Sequence, residues 1–378
     1  MKNSNLHAAK VAKNDEFYTR FEDINFEINL VEHGYRPFFK DKVVYCNCDD
    51  PEESNFWKFF KARFNGLRLK KLISTHYDQE GKSSYKLEYD GERVIKSELD
   101  GNGDFRSPEC VELLKESDIV VTNPPFSLYR EFVALLTKYE KKFVIWANNN
   151  SVTYKEIFPL IKDNRMWLGY TCNKTLSFAV PEGYRYDEKE TAKINDGKHY
   201  GKVPAISVFT NLEIPKRHEP MLLGGSYERG SKKGMFPKYD NYDAINVDRV
   251  CDIPEDYDGV MGVPITFLDK YCPEQFEIVA FRKGEDGKDL VFTREREREF
   301  NRTFVSLFDF DSGDDQKRRR KDKWENYLRT HNDSKEVEPV DVIYPLSTNL
   351  KNGMINNCTI NGKKTYCRML IRRKTTTK

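Results

Sequence analysis

An α/β fold on a mostly parallel, doubly wound sheet is the class this sequence predicts for residues 14–215, and three observations predict it. Short apolar, β-branched runs recur at residues 42–46, 72–75, 119–121 and 143–146. Segments of helical period lie between them, and strands alternating with helices argue for parallel strands and right-handed crossovers. The third run ends abruptly at Asn123-Pro124-Pro125-Phe126. Two prolines in succession remove two backbone donors and stop a strand.

Taken in order, residues 1–13 are polar and basic and read as a loose tail. Ile24, Ile28 and Val31 share one face of a helix over Phe21 to Val31. Lys42 to Cys46 reads as the first buried strand, and Asp49 or Asp50 with Pro51 as the cap and first turn of the next helix. On that helix Phe56, Phe59, Phe60 and Phe64 fall on one face. Leu72 to Thr75 is a second strand, and residues 83–97 form a hairpin turning at Asp90-Gly91. Ser107-Pro108 opens a helix through Leu114, and Ile119 to Val121 follows as a strand buried on both faces. Ser127 is the expected cap of a helix carrying Phe132, Val133, Leu135 and Leu136. Phe143 to Trp146 is the next strand, Tyr154 to Ile161 a helix and Ala205 to Phe209 a last strand. After Pro215 the alternation fades, so residues 216–378 form a second region.

The Asn123-Pro124-Pro125-Phe126 turn is thereby expected at the carboxyl end of a central strand, where open α/β sheets place their ligands. Its chemistry suits methyl transfer to an exocyclic amine, whose lone pair is delocalised into a ring. The Asn123 side-chain oxygen and the Pro124 carbonyl can both accept from such an amine, and the prolines limit reorganisation. Phe126 offers a face for a planar base. S-adenosylmethionine is already an activated methyl donor, so alignment of donor and acceptor is the main task and no metal is needed. The same four residues can also be plain loop punctuation.

The chain resembles the adenine-specific DNA methyltransferases, and among them the EcoRI-type modification methylases of restriction–modification systems. Besides the proline turn, the resemblance rests on Asp15 to Thr19, Val43 to Pro51, Gly103 to Ser107, Pro237 to Val247 and Gly259 to Leu268. It runs from about Asp15 to Leu290 and resumes near Tyr366. It implies a Rossmann-like sheet with a C-terminal DNA-recognition region, S-adenosylmethionine as cofactor and adenine N6 of double-stranded DNA as target. It further implies base flipping, and protection against a cognate restriction endonuclease that need not form a stable complex.

The resemblance assigns Phe17, Tyr18 and Thr19 to packing against the cofactor and Asp104 with Phe105 to holding its adenine ring. Cys46, Asn47 and Asp49 follow the first strand, where the methionine moiety is expected, and Asp78 past the second strand is a candidate for the ribose hydroxyls. One departure stands out: no glycine occurs between Gly34 and Gly66, so the usual Gly-x-Gly turn is missing. Each of these acids can equally be a helix cap or a solvated carboxylate.

For the nucleic acid, Gly224 to Tyr242 combines glycines with Arg229, Lys232, Lys233, Lys238 and Tyr239, able to reach phosphates and base edges or to be a solvated loop. Lys317 to Lys323 is the densest basic run and lies in residues 291–360, which read as an insertion. Net charge is only +2, so distribution matters more than the sum. The 8 cysteines form no Cys-x-x-Cys and the 6 histidines are dispersed, which argues against zinc. With no secretory segment and no long apolar run, the expectation is a cytoplasmic protein with reduced thiols and no membrane contact. Rival readings are a methyltransferase acting on RNA adenine or protein glutamine, and a DNA-binding relative without catalysis.

Overall fold

The computed structural model describes residues 18–33, 37–48, 50–78, 84–179, 191–193, 199–239, 243–281, 359–360, 363–364, 366 and 368–374. Phe17, Asp49, the tail over residues 1–13 and the basic run at 317–323 lie outside them. The chain divides into two compact units, residues 1–218 and 219–378.

The first unit is mixed α/β. In chain order it contains β1 (Tyr18–Thr19), α1 (Phe21–Glu32), β2 (Val43–Cys46), α2 (Asn55–Ala62), α3 (Phe64–Leu67), β3 (Lys71–Thr75), β4 (Tyr85–Tyr89) and β5 (Val94–Glu98). There follow α4 (Pro108–Glu116), β6 (Ile119–Thr122), α5 (Tyr129–Lys138), β7 (Lys142–Asn148), α6 (Phe158–Lys162), β8 (Trp167–Leu168), β9 (Lys174–Ala179), β10 (Thr191–Lys193) and β11 (His199–Thr210). Among the described residues these strands form one sheet in the order β1-β9-β11-β7-β6-β2-β3-β4-β5, with β8 and β10 also on β11. Its centre, β3-β2-β6-β7, is parallel, but the flanks, β3 to β4 and β5 on one side and β7 to β11, β9 and β1 on the other, pair antiparallel, so the sheet is mixed and not mostly parallel as expected. Both β2 and β6 are buried at every residue, as their unbroken apolar runs predict. Phe56, Phe59 and Phe60 of α2 are fully buried, and Phe56 meets Trp146 of β7 edge-on at 5.1 Å.

Three local expectations shift. Asp50 and Pro51 do not start a helix: the Asp50 carbonyl accepts from Glu53 and Ser54 N–H in a turn, and the cap of α2 passes to Ser54, whose hydroxyl accepts from Phe56 N–H at 3.1 Å. Ser127 does not cap α5. The Pro125 carbonyl accepts from Leu128 N–H at 2.9 Å, so the proline turn continues for three more residues and α5 starts at Tyr129 without a side-chain cap. The expected helix over 154–161 is the shorter α6, preceded by a 3₁₀ turn at Asn149–Thr153.

The second unit has α7 (Tyr227–Ser231), β12 (Ala244–Asn246), β13 (Val260–Val263), β14 (Phe276–Phe281), the hairpin β15 (Thr359–Ile360) with β16 (Lys363–Lys364), and β17 (Met369–Arg373). Its sheet runs β12-β13-β17-β14, so β17, the last of the described strands, fills the gap between β13 and β14. Tyr239, Ala244, Val279, Ala280 and Leu370 cluster on it.

Candidate active site

The proline corner hangs from the middle of the parallel sheet. β6 is hydrogen-bonded to β2 on one side and β7 on the other. Its last residue, Thr122, is fully buried, and its hydroxyl donates to the carbonyl of Asn47 after β2. Asn123 is 5% exposed, Pro124 is buried, and Pro125 and Phe126 are half-buried, with Phe126 packed on the main core. The corner is thus held by backbone pairing, by two fixed φ angles and by a hydroxyl bond to the neighbouring loop.

The loop after β2 turns without glycine. Cys48 takes a left-handed backbone with φ 79°, the conformation a glycine ordinarily supplies. Cys46 is fully buried as the end of the strand, with its carbonyl accepting from Ser74 Oγ at 2.6 Å. Asn47 is 2% exposed, and its side-chain oxygen is buried without a hydrogen-bond partner. Asp50 closes the loop. Its carboxylate accepts from the Tyr85 hydroxyl at 2.8 Å and from Glu52 N–H at 2.9 Å, with His76 Nδ1 at 3.5 Å.

After β3, Asp78 is half-buried and its N–H donates to the Asn102 carbonyl at 2.9 Å. Gly103, at φ +76°, lies so close to the His76 backbone that a Cβ would collide with it, which draws residues 76–78 and 102–104 together. The Asp104 carboxylate is gripped by Arg106, whose Nε and Nη2 lie 2.9 and 2.7 Å from its two oxygens. Arg106 Nη1 reaches Glu131 of α5 at 2.7 Å. These two carboxylates push the Arg106 guanidinium above its ordinary pKa. Phe105 is buried and meets Phe132 of α5 edge-on at 5.1 Å. Tyr18 is half-buried and Thr19 buried; β1 pairs with β9, and the Thr19 carbonyl accepts from Asn55 Nδ2 at 2.8 Å at the start of α2. The structure therefore joins the residues after β2, after β3, before α4 and after β6 through backbone and side-chain bonds.

Beneath this floor the Tyr45 hydroxyl meets Thr75 Oγ1 at 3.0 Å, and burial raises the pKa of both Tyr45 and the Cys110 thiol. To one side the fully buried Glu27 carboxylate accepts from Tyr170 and Thr171 N–H at 2.8 and 2.6 Å. Burial pushes its pKa up, and the two amides only partly offset this. Among the described residues no group of His, Cys, Asp and Glu is arranged to hold a metal ion, and no helix is long and apolar enough to cross a membrane.

The basic segment of the second unit separates into two kinds of residue. Arg229, Lys232 and Lys233 are exposed on and just after α7, Lys232 pairing with Glu228 at 2.9 Å. Ser226 caps α7, and Asp256 accepts from the Ser226 hydroxyl at 2.9 Å and from the amides of Tyr227 and Glu228. Lys238 is exposed too, and its backbone forms a bridge with Ile245. Tyr239 departs from expectation: it is 4% exposed, packed over Gly262, and its hydroxyl donates to Asn246 Oδ1 at 2.8 Å. A side chain so enclosed serves the core and is not presented to a phosphate.

Sequence reasoning gave no part to Thr122, Tyr85 and Arg106, whose side chains tie these segments together. The Asp-Phe-Arg spacing at residues 104–106 was the one local signal, since an arginine two residues from a loop aspartate can fold back on it.

With this geometry in place, comparison with known proteins is informative. The family model of the adenine-specific methyltransferase EcoRI matches residues 5–374. The chain is 49% identical over 306 residues to the type II methyltransferase M.EcoRI of Escherichia coli, covering 76% of this chain and 92% of that protein. It is 45% identical over 276 residues to the type II methyltransferase M.MpnI of Mycoplasma pneumoniae, covering 72% and 84%. M.MgeORF184P of Mycoplasma genitalium, another type II methyltransferase, is 43% identical over 276 residues, covering 72% and 85%. This chain belongs to the EcoRI-type family of adenine-specific DNA methyltransferases.

Proposed function

We propose that the protein transfers a methyl group from S-adenosylmethionine to the N6 amino group of an adenine flipped out of double-stranded DNA. In the cell this protects a recognition site from a cognate restriction endonuclease, in the cytoplasm where the DNA lies. The parallel centre of the sheet is read as a Rossmann-like core, and residues 216–378 as the target-recognition region. One observation carries the reading: Asn123 stands at the end of β6, and the preceding residue is hydrogen-bonded to the loop after β2.

The residues present fit the cofactor. The buried, unpartnered oxygen of Asn47 is an acceptor suited to an ammonium group, and Asp104 beside Phe105 pairs a carboxylate acceptor with an apolar ring. Asp78 is close to the Asp104 loop and can take ribose hydroxyls. The bound donor supplies an electrophilic methyl on sulfur, so the protein need not activate it. The protein acts on the acceptor. The Asn123 side-chain oxygen and the Pro124 carbonyl take the two amine hydrogens, drawing the nitrogen toward the pyramidal form whose lone pair can attack. As the N–C bond forms, the methyl–sulfur bond would break to leave the neutral thioether S-adenosylhomocysteine, and the proton lost from the nitrogen would pass to solvent. Phe126, half-buried and braced on the core, stacks on the extruded base and offsets part of the few kcal/mol of lost stacking. Arg229, Lys232, Lys233 and Lys238 neutralise phosphates.

The test is incubation of unmethylated genomic DNA with labelled S-adenosylmethionine, followed by nucleoside analysis and mapping of the label. N6-methyladenine at one short recurrent sequence is the expected product. Label on cytosine, label only in RNA or protein, or no label at all contradicts the proposal.

A further inference from the structure

The segment after β7 runs beside the proline corner and is tied to its flanks at both ends. At one end β7 lies next to β6, with Ile145 opposite Thr122, and it continues to Asn148 after β6 has stopped. At the other, Arg130 of α5, the helix that follows the corner, stands 5.6 Å from the centre of the Tyr154 ring and 3.8 Å from Glu156. Between those ties the chain makes its 3₁₀ turn at Asn149–Thr153, and the first residue of the turn is a buried amide. Asn149 is 5% exposed, and its side-chain oxygen accepts from the Ser207 hydroxyl of β11 at 2.9 Å. Ser207 is fully buried and itself accepts from Asn173 N–H at 2.9 Å, so its one proton goes to the Asn149 oxygen. That relay settles which end of the carboxamide is which: the oxygen faces Ser207, and Nδ2 faces away from it. Among the described residues nothing accepts from Nδ2. A buried amide whose oxygen is bound and whose two N–H donors are not leaves a place for an acceptor.

We propose that Asn149 recognises the target base: its Nδ2 donates to N1 of the extruded adenine while the corner takes the neighbouring 6-amino group. The inference rests on the reading that Asn123 and Pro124 hold that amine, and it names what tells the purine from others. In the duplex, adenine N1 accepts from thymine N3–H and the amine donates to thymine O4. Extrusion removes both partners at once. The corner replaces the lost acceptor, and Asn149 replaces the lost donor. An acceptor carried into a closed site without a donor weakens binding, and a fixed N–H removes that penalty. Guanine and hypoxanthine carry a proton on N1, so two donors would face each other and the base is rejected. The bond from Ser207 matters here, because an amide free to rotate by half a turn would offer either an acceptor or a donor. Cytosine shares the amine-and-acceptor order of adenine, so Asn149 acts against the N1-protonated purines alone.

The experiment uses the full chain and duplexes bearing the sequence found by the mapping above. The target adenine is replaced by 1-deazaadenine, which lacks N1, or by 7-deazaadenine, which keeps it. Single-turnover methylation is followed at saturating cofactor, and the rate ratio of the two duplexes is compared between enzymes. The penalty for losing N1 is about tenfold larger in the wild type than in Asn149→Ala. Loss of N1 also loosens the base pair, but this acts on both enzymes alike and cancels in the comparison. Asn149→Asp keeps an oxygen for Ser207 and fills the same space, so it guards against a variant that merely unfolds. With it, too, the 1-deaza duplex reacts no more slowly than the 7-deaza one. Ser207→Ala, which releases the amide to rotate, shrinks the wild-type penalty. Equal sensitivity to N1 in the wild type and in both Asn149 variants overturns the inference and leaves the role of the corner standing. If the wild type does not methylate the unmodified duplex at adenine N6, the underlying reading fails instead.

Discussion

The corner at Asn123–Phe126 and the segment at Gly224–Lys238 meet the same polymer, in the proposed reading, by opposite physical means. The corner is inside the sheet. Its strand is paired on both sides, its φ angles are fixed by two prolines, and Thr122 bonds the next loop. The basic segment is solvent-exposed. It is built on α7, only five residues long, and its cations stand in solvent, one of them in an i,i+4 pair with Glu228. Such an exposed pair is worth only a few tenths of a kcal/mol and exchanges readily for a phosphate. The contrast teaches where rigidity is needed: a methyl transfer depends on sub-ångström alignment and preset dipoles, whereas phosphate contact is long-ranged and tolerant.

Substitutions can break or sharpen this contrast, beginning with the larger effect. Thr122→Val preserves shape but leaves the Asn47 carbonyl without its donor, so cofactor affinity should fall about tenfold. Titration with S-adenosylhomocysteine measures it, and an unchanged affinity would separate the corner from the loop after β2. Replacing Lys232 and Lys233 together by Ala should weaken DNA binding and flatten the dependence of log K on log salt by roughly 1 to 2. Methyl transfer at saturating DNA should persist. A wild-type slope would remove these lysines from the interface. Tyr239→Phe carries the smallest effect, a stability loss of about 1 kcal/mol from the missing bond to Asn246, read by denaturant titration. DNA affinity should not move, since the ring is buried.

The same contrast explains what could be read from the sequence. The strand ending at Asn123 and the hairpin turning at Asp90-Gly91 depend on neighbours in the chain, and both are where local pattern puts them. The capping of α2 and α5 was misread because Pro51 and Ser127 carry cap-like signals that the tertiary turn overrides at Asp50 and Pro125. Tyr239 looked like a DNA contact because an aromatic beside a lysine is ambiguous. Its burial is decided by Gly262, on a strand over twenty residues away, whose missing side chain makes room for the ring. The left-handed turn at Cys48 carried no sequence signal at all, since the residue type does not favour it. Structural features set by neighbours in the chain were legible, and those set by distant partners were not.

The central claim is that the Asn123 side chain grips the amine during transfer and does little else. Single-turnover methyl transfer by Asn123→Ala, with cofactor and DNA affinities measured on the same sample, tests it most directly. The account predicts a rate reduced by more than about a hundredfold with both affinities close to wild type. A variant that keeps more than about a tenth of the wild-type rate would contradict it, because loss of an essential acceptor cannot be that mild.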